Sequence, residues 1–215
     1  MLSIITNIPE LLYHIILSVI DYRVDPSEGQ RSIYILGTRS TLEAAKDSSY
    51  GVLQALGYKP QDFVQFAVHS SHTGAWAHGN GVLVYARAPA GQLFLVSVQA
   101  TPNTEDLMMN HEGGVILPNG ISSLHYVVQT TIDYNKDRTG CEQEMQIEGT
   151  FVHRSRALAA ANKLLDPLDY VDYETPEKMA GEWQLGEEVV AHAVAKTGQN
   201  ITVAVTTVSD SHLSH

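Results

Sequence analysis

Five polar side chains in the second half of the chain, His125, Gln129, Gln146, Glu148 and His192, are of types that handle protons and carbonyl groups. A histidine beside a glutamate can serve as a general acid and base. Glutamine amides can hydrogen-bond a carbonyl and polarise it. Taken singly, each of the five reads equally well as a solvated residue on an outer strand face. They become a set because all five stand where an earlier stretch of the chain carries apolar or aromatic residues.

Other chemistries find little support. Three histidines, His69, His72 and His78, share the segment "VHSSHTGAWAH" and are the right type for zinc. The corresponding positions later in the chain are Pro176, Met179 and Leu185, and no His-x-Glu or second-cysteine pattern reinforces a metal site. With a single cysteine, Cys141, in the turn Arg138-Thr139-Gly140-Cys141, the sequence offers no internal disulfide and no thiolate cluster. That usage suits a reducing compartment. There is no strand-to-helix GxGxxG, no Walker loop and no Gly-x-Ser-x-Gly elbow, so no nucleotide, flavin or nicotinamide cofactor is expected. A net charge of -11, with 13 scattered Lys and Arg, argues against nucleic acid as a partner.

The start of the chain, "MLSIITNIPELLYHIILSVIDY", superficially resembles a leader, but it lacks a basic opening and carries Pro9 and Glu10 in its middle. The apolar run Leu11 to Ile20 is too short to span a bilayer. It reads as a strand of a cytoplasmic protein with no membrane partner.

The repeat organises everything else. "LYHIILSVIDY" (12 to 22) aligns without a gap on "LHYVVQTTIDY" (124 to 134). The same offset carries Ile35-Leu36-Gly37-Thr38 onto Ile147-Glu148-Gly149-Thr150, and Ala45 and Leu53 onto Ala157 and Leu165. The second copy then lacks about five residues, around Gln54 to Tyr58, after which Asp62, Val64, Trp76, Gly91 and Gln92 meet Asp169, Val171, Trp183, Gly198 and Gln199. Roughly a quarter of the aligned positions are identical. Residues 1–101 form unit one, 102–123 a linker, 124–208 unit two, and 209–215 a tail.

Each unit reads as ββαβββ. In the first, strands are expected over 13–22, 31–38, 62–69, 81–88 and 92–101, with a helix over 41–56 capped by Ser40 or Thr41. The helix keeps apolar spacing at Leu42, Ala45, Val52, Leu53 and Leu56, with one slip at Ser49. The fold class is therefore α+β, internally duplicated, with mainly antiparallel sheets and a pseudo-two-fold relation. The linker is too apolar for a solvated tether, with Leu107-Met108-Met109 and Val115-Ile116-Leu117, and is expected to pack.

Strand residues alternate faces, so the copies can be compared face by face. One face is apolar in both: Ile16, Ile20, Ile33, Ile35, Val82, Val84, Val96 and Val98 match Val128, Ile132, Met145, Ile147, Val189, Ala191, Val203 and Val205. This face is expected to pack on the helix. On the other, Tyr13, Leu17, Tyr34, Leu36, Tyr85 and Leu95 of copy one become His125, Gln129, Gln146, Glu148, His192 and Thr202. So large an apolar face needs a cover. Three covers fit: the second sheet, with a possible cavity between the two; the linker and N-terminal segment; or a second subunit, making a homodimer. The first would present an aromatic and aliphatic wall opposite polar groups, the usual make-up of a small-molecule site.

The pattern "W-x-H-G-x-G-V-x-V-Y-A-x-A-P-x-G", following "S-T-L-E-A-A-K" and joined to "Y-V-V-Q-T-T-I-D-Y", resembles a family of small two-repeat proteins of filamentous fungi, most without assigned biochemistry. The resemblance covers nearly the whole chain and implies a fungal intracellular setting. It transfers no catalytic residues. By analogy with other such fungal proteins, it implies a cofactor-independent isomerase or cyclase of natural-product metabolism, including pericyclic, Diels–Alder-type chemistry. Such a reaction needs a substrate held in a near-attack shape, which Tyr13, Leu17, Tyr34, Leu36, Tyr85 and Leu95 would impose. One hydrogen bond from His125, Gln129, Gln146 or His192 to a conjugated carbonyl would lower the barrier further. The alternatives are a non-catalytic carrier of an apolar small molecule and an interaction or dimerisation module.

Overall fold

The structure is a computed structural model that describes residues 7–22, 30–69, 76–138, 143–179 and 181–209. The chain divides into two compact units, one running through the described residues up to Gly120 and the other Ile121–Ser209.

Unit one contains β1 (Leu11–Asp21), β2 (Gln30–Arg39), α1 (Leu42–Ala55), β3 (Gln65–Val68), β4 (Val82–Arg87) and β5 (Leu93–Pro102). Its five strands form one sheet in the order β2-β1-β5-β4-β3, every neighbour antiparallel. A short hairpin of β6 (Met108–Met109) and β7 (Val115–Ile116) follows. Unit two contains β8 (Ser123–Ile132), β9 (Gln143–Phe151), α2 (Arg154–Ala161), β10 (Tyr170–Glu174), β11 (Val189–Ala195) and β12 (Asn200–Ser209). Its sheet runs β9-β8-β12-β11-β10, the same order in repeat-equivalent strands. The duplicated α+β architecture is thus present strand for strand.

Two of the irregularities repeat as well, whereas the shift between Tyr170 and Asp172 in β10 has no counterpart between β3 and β4. β1 and β2 shift register between Ile15 and Ile16, leaving Leu36 as the extra residue of a bulge. β8 and β9 shift between Val127 and Val128, leaving Glu148. A second bulge sits at Leu83 in β4 and at Val190 in β11. Bulges redirect side chains, so the two sheets share the features that aim their residues.

The sheets differ from the sequence expectation in which face meets the helix. Register pairs Leu17 with Val96 and Ile15 with Val98, and cross-strand partners share a face. α1 packs through Val52 and Leu53 on Ile15, Leu17, Val84, Ala86, Phe94 and Val96. Ile16 and Ile35 lie on the opposite face, with Val82 beside Ser97. In unit two, α2 packs through Ala157 and Ala161 on Val127, Ala191, Ala193, Ile201, Val203 and Val205, whereas Val128 and Ile147 turn away. Alternation fixes faces within a strand. Hairpin register and bulges decide which face continues into its neighbour, and the apolar pattern does not encode them.

Thr41 begins α1 from an extended conformation, and its Oγ1 accepts the Ala44 N–H at 3.2 Å. Ser49, the slip in the apolar spacing, is fully buried because its hydroxyl donates to the Ala45 carbonyl at 2.7 Å. The segment after β5 packs, as its composition requires. Leu107 is buried, and the Asn103 amide bonds the carbonyls of Pro9 and Leu107. Gly113 holds a positive φ of 75° against the start of α1, where an added Cβ would meet the Ala44 Cβ at 2.6 Å.

Candidate functional site

A groove of about 510 Å³ opens on the helix side of sheet one. Its floor is Leu17 and Val19 of β1 with Phe94 of β5, and Tyr34 and Leu36 of β2 form one wall. The opposite wall is Leu56 and Tyr58, from the chain just after α1 ends. Asp21, Ser32 and Gln92 supply the polar lining. The volume lies in the range of small-molecule sites, and the exposed lining combines apolar and polar surface in comparable amounts.

Local sequence explains each wall. Gly57, with φ 91°, turns the chain after α1, and the Tyr58 N–H donates to the Leu53 carbonyl at 2.9 Å. Tyr58 is then held by rings, with Phe94 centred 5.2 Å away and Phe63 5.8 Å away, while Phe63 meets Phe94 edge-on at 5.5 Å. Tyr34 keeps 51% of its surface exposed and Tyr58 39%, so both present aromatic area to whatever enters. The Gln92 side chain donates to the Asp21 carboxylate at 3.1 Å.

Of the six wall residues expected from sequence, Leu17, Tyr34 and Leu36 come together here. Tyr13 lies farther along the same side of β1, paired with Arg39 and Ala100. Tyr85 and Leu95 are direct partners on the opposite face, where Tyr85 stacks on His78 at 4.1 Å.

The five polar residues of unit two divide similarly. His125, Gln129 and Gln146 lie on the helix side, Gln129 and Gln146 being direct cross-strand partners. Glu148 takes the bulge position. The His125 Nδ1 sits 2.8 Å from the Thr207 hydroxyl, and its pKa is lowered by desolvation, then by Arg154 and His153. His192 is on the other face, paired with Thr202, with its Nδ1 3.8 Å from the Glu174 carboxylate and its Nε2 3.2 Å from Asn200.

His72 and Cys141 lie outside the described residues. Trp76 packs between the rings of His69 and His78, centred 5.0 and 4.8 Å away. Among the described residues no three His, Cys, Asp or Glu side chains converge as metal ligands. No helix among them is long and apolar enough to cross a membrane.

Sequence reasoning did not assign Leu56, Tyr58, Gln92 or Phe94 to the site, Leu56 entering only as a helix position and Gln92 only as a repeat identity. A signal for two of them was present. Leu56 and Tyr58 fall in the five-residue stretch that copy two lacks. An extra segment in one copy of a repeat marks a place where that copy does something its twin does not. Compared with protein-family models, curated proteins and solved structures, the chain matches none.

Proposed function

We propose that the protein binds an apolar small molecule in the groove beside α1, without a cofactor. One observation carries the reading. Leu17, Val19, Tyr34 and Leu36 line the groove, whereas copy two has Gln129, Thr131, Gln146 and Glu148 at these positions and nothing equivalent to Leu56 or Tyr58. Apolar residues at half-open positions cost solubility, and copy two shows that the frame does not need them. A net charge of -11 keeps nucleic acid out of this reading.

A cofactor-independent cyclase or isomerase is the second reading, and it uses the same groove. Its support is that Tyr34 and Tyr58 bring phenol donors to an apolar wall, where one hydrogen bond to a conjugated carbonyl counts for more than in water. An intramolecular ring closure would then need only a substrate folded into a reactive shape.

The test is fluorescence titration with an environment-sensitive neutral dye, Nile red, against the wild type and the double variant Tyr34→Gln/Leu36→Glu. Affinity should fall at least about tenfold while the circular dichroism is retained. Equal binding by a folded variant would remove the groove from consideration. Turnover is read separately, as a new isomer of unchanged mass formed from extracts of the source organism by the wild type and not by the variant.

A further inference from the structure

Independently of the groove, we infer that Asn119, at the junction of the two units, is a site of spontaneous covalent modification, converting with age to aspartate and isoaspartate. The chemistry is intramolecular. The Gly120 backbone nitrogen gives up its proton and attacks Cγ of the Asn119 side chain. The new C–N bond closes a succinimide ring, and the side-chain nitrogen leaves as ammonia. Water then adds to one of the two ring carbonyls and opens the ring. One opening yields aspartate, and the other yields isoaspartate, in which the main chain runs through Cβ. Water is the only other reactant.

Three conditions favour this attack. The following residue must be small, because a Cβ there crowds the closing ring. The side-chain amide must not be tied up, and the backbone must be free to bring the nitrogen onto Cγ. The sequence holds two Asn-Gly pairs, Asn80-Gly81 and Asn119-Gly120. Both asparagines are exposed, and neither side chain has a hydrogen-bond partner among the described residues. Other asparagines are held. The Asn103 amide donates to the Pro9 and Leu107 carbonyls at 2.9 Å each, and Asn110 Oδ1 accepts the Gly114 N–H at 2.7 Å. The Asn135 amide donates to the Thr197 carbonyl at 2.9 Å. None of these three precedes a glycine.

Backbone freedom separates the two Asn-Gly pairs. Gly81 is followed at once by β4, whose first residue is Val82. Around Asn119, β7 ends at Ile116 and β8 begins only at Ser123, so residues 117–122 carry neither strand nor helix. Gly120 has a φ of 83°, and a Cβ added to it would meet nothing within 4 Å. No neighbour therefore restrains this turn, and exposed turns of this kind are where chain chemistry concentrates. Asn119 is the more reactive of the pair.

The position gives the change its consequence. The division between the units falls between Gly120 and Ile121. Each conversion adds one negative charge to a chain already at -11, and isoaspartate lengthens the connection by one backbone carbon. Neither sheet contains the altered atoms. The change should register as charge and linkage at the junction, with both folds intact.

The test is to age the full-length protein in warm, mildly alkaline buffer. Each asparagine is followed by peptide mass spectrometry with fragment localisation, and acidic variants by ion exchange. Asn119 should lose its amide severalfold faster than Asn80, with isoaspartate among the products, while Asn103, Asn110 and Asn135 stay intact. Asn119→Ala should abolish the earliest acidic variant. Gly120→Ala, which keeps the amide but crowds the ring, should delay it. Circular dichroism should not change as the wild type ages. In guanidinium, where backbone freedom is equalised, Asn80 and Asn119 should convert at similar rates. Asn80 converting as fast as Asn119 in the folded protein would overturn the assignment. So would an Asn119 that stays intact, or a gap between the two that persists unchanged in guanidinium.

Discussion

Sheets one and two follow the same strand order and place a bulge at the same two points, yet their helix-side faces have diverged. In unit one, 14-residue α1 presents Val52 and Leu53 to the sheet, and the chain beyond it carries Leu56 and Tyr58 over the groove. In unit two, 8-residue α2 presents Ala157 and Ala161, no extra segment follows, and Gln129 pairs with Gln146 where Leu17 faces Tyr34. The two bulges that the sheets share survive in both copies, whereas features that fill the open part of the face survive in one. The copies therefore separate what the fold needs from what was added to it.

The largest expected effects test the shared frame. Leu53 and Leu165 are repeat-equivalent and buried in their respective cores. Leu53→Ala and Leu165→Ala should each destabilise by about 2–5 kcal/mol in urea unfolding, from lost transfer energy and the cavity left behind. A cost under about 1 kcal/mol for one of them would mean that the two cores are not equivalent.

The next effect breaks the symmetry. His14 is fully buried, its ring nitrogens 2.9 and 2.8 Å from the hydroxyls of Thr38 and Thr101, and copy two has Tyr126 at this place. One ring N–H donates to a threonine oxygen and the other nitrogen accepts from a hydroxyl, which suits a neutral imidazole. Desolvation lowers its pKa to about 4 from 6.5. The unfolded chain therefore takes up the proton first. The stability due to keeping His14 neutral is complete above 6.5 and is lost as pH falls toward about 4, amounting to about 3 kcal/mol. His14→Gln, which offers an amide to both threonines, should flatten that part of the pH dependence in urea midpoints taken from about pH 7 to about pH 4. An unchanged slope would assign the acid sensitivity elsewhere.

Much of this was legible in the sequence, for reasons that particular residues show. The duplication rests on identities such as Asp62/Asp169 and Gln92/Gln199, and alignment needs no structure to find them. The ββαβββ order followed from periodicity and turn residues, with strand and helix ends within a few residues of those observed. Faces were harder. Alternation alone puts Leu17 on one face with Tyr85, yet register sets Leu17 beside Val96 and Tyr85 beside Leu95, on opposite sides of one sheet. Each strand's alternation is a local property, but register is set by pairing across the chain and by bulges such as that at Leu36. The groove was half visible, since Leu17, Tyr34 and Leu36 stood out by contrast with copy two. Tyr58 did not, because its role depends on ring packing with Phe63 and Phe94 from elsewhere in the chain.

The smallest expected effect sharpens the comparison at the helix starts. Thr41 and His153 are equivalent N-cap positions, and both have extended backbones. The Thr41 hydroxyl accepts the Ala44 N–H, and Glu43 in the first turn complements the positive end of the helix. His153 makes no side-chain cap bond, and the helix it precedes opens with Arg154 and Arg156, whose charge opposes the dipole. Thr41→Ala should therefore cost about 1 kcal/mol, while His153→Ala should change the cap contribution little. His153→Thr should go the other way and stabilise unit two by about 0.5 kcal/mol, because it adds a side-chain acceptor to a first turn in which the Arg156 N–H has the His153 carbonyl at 3.0 Å. Both changes are measurable as shifts in urea midpoint at constant slope. A stabilising His153→Thr would show that copy two gave up its cap without structural need. A destabilising one would mean that His153 contributes more to its unit than a cap would, although its charge opposes protonation of His125.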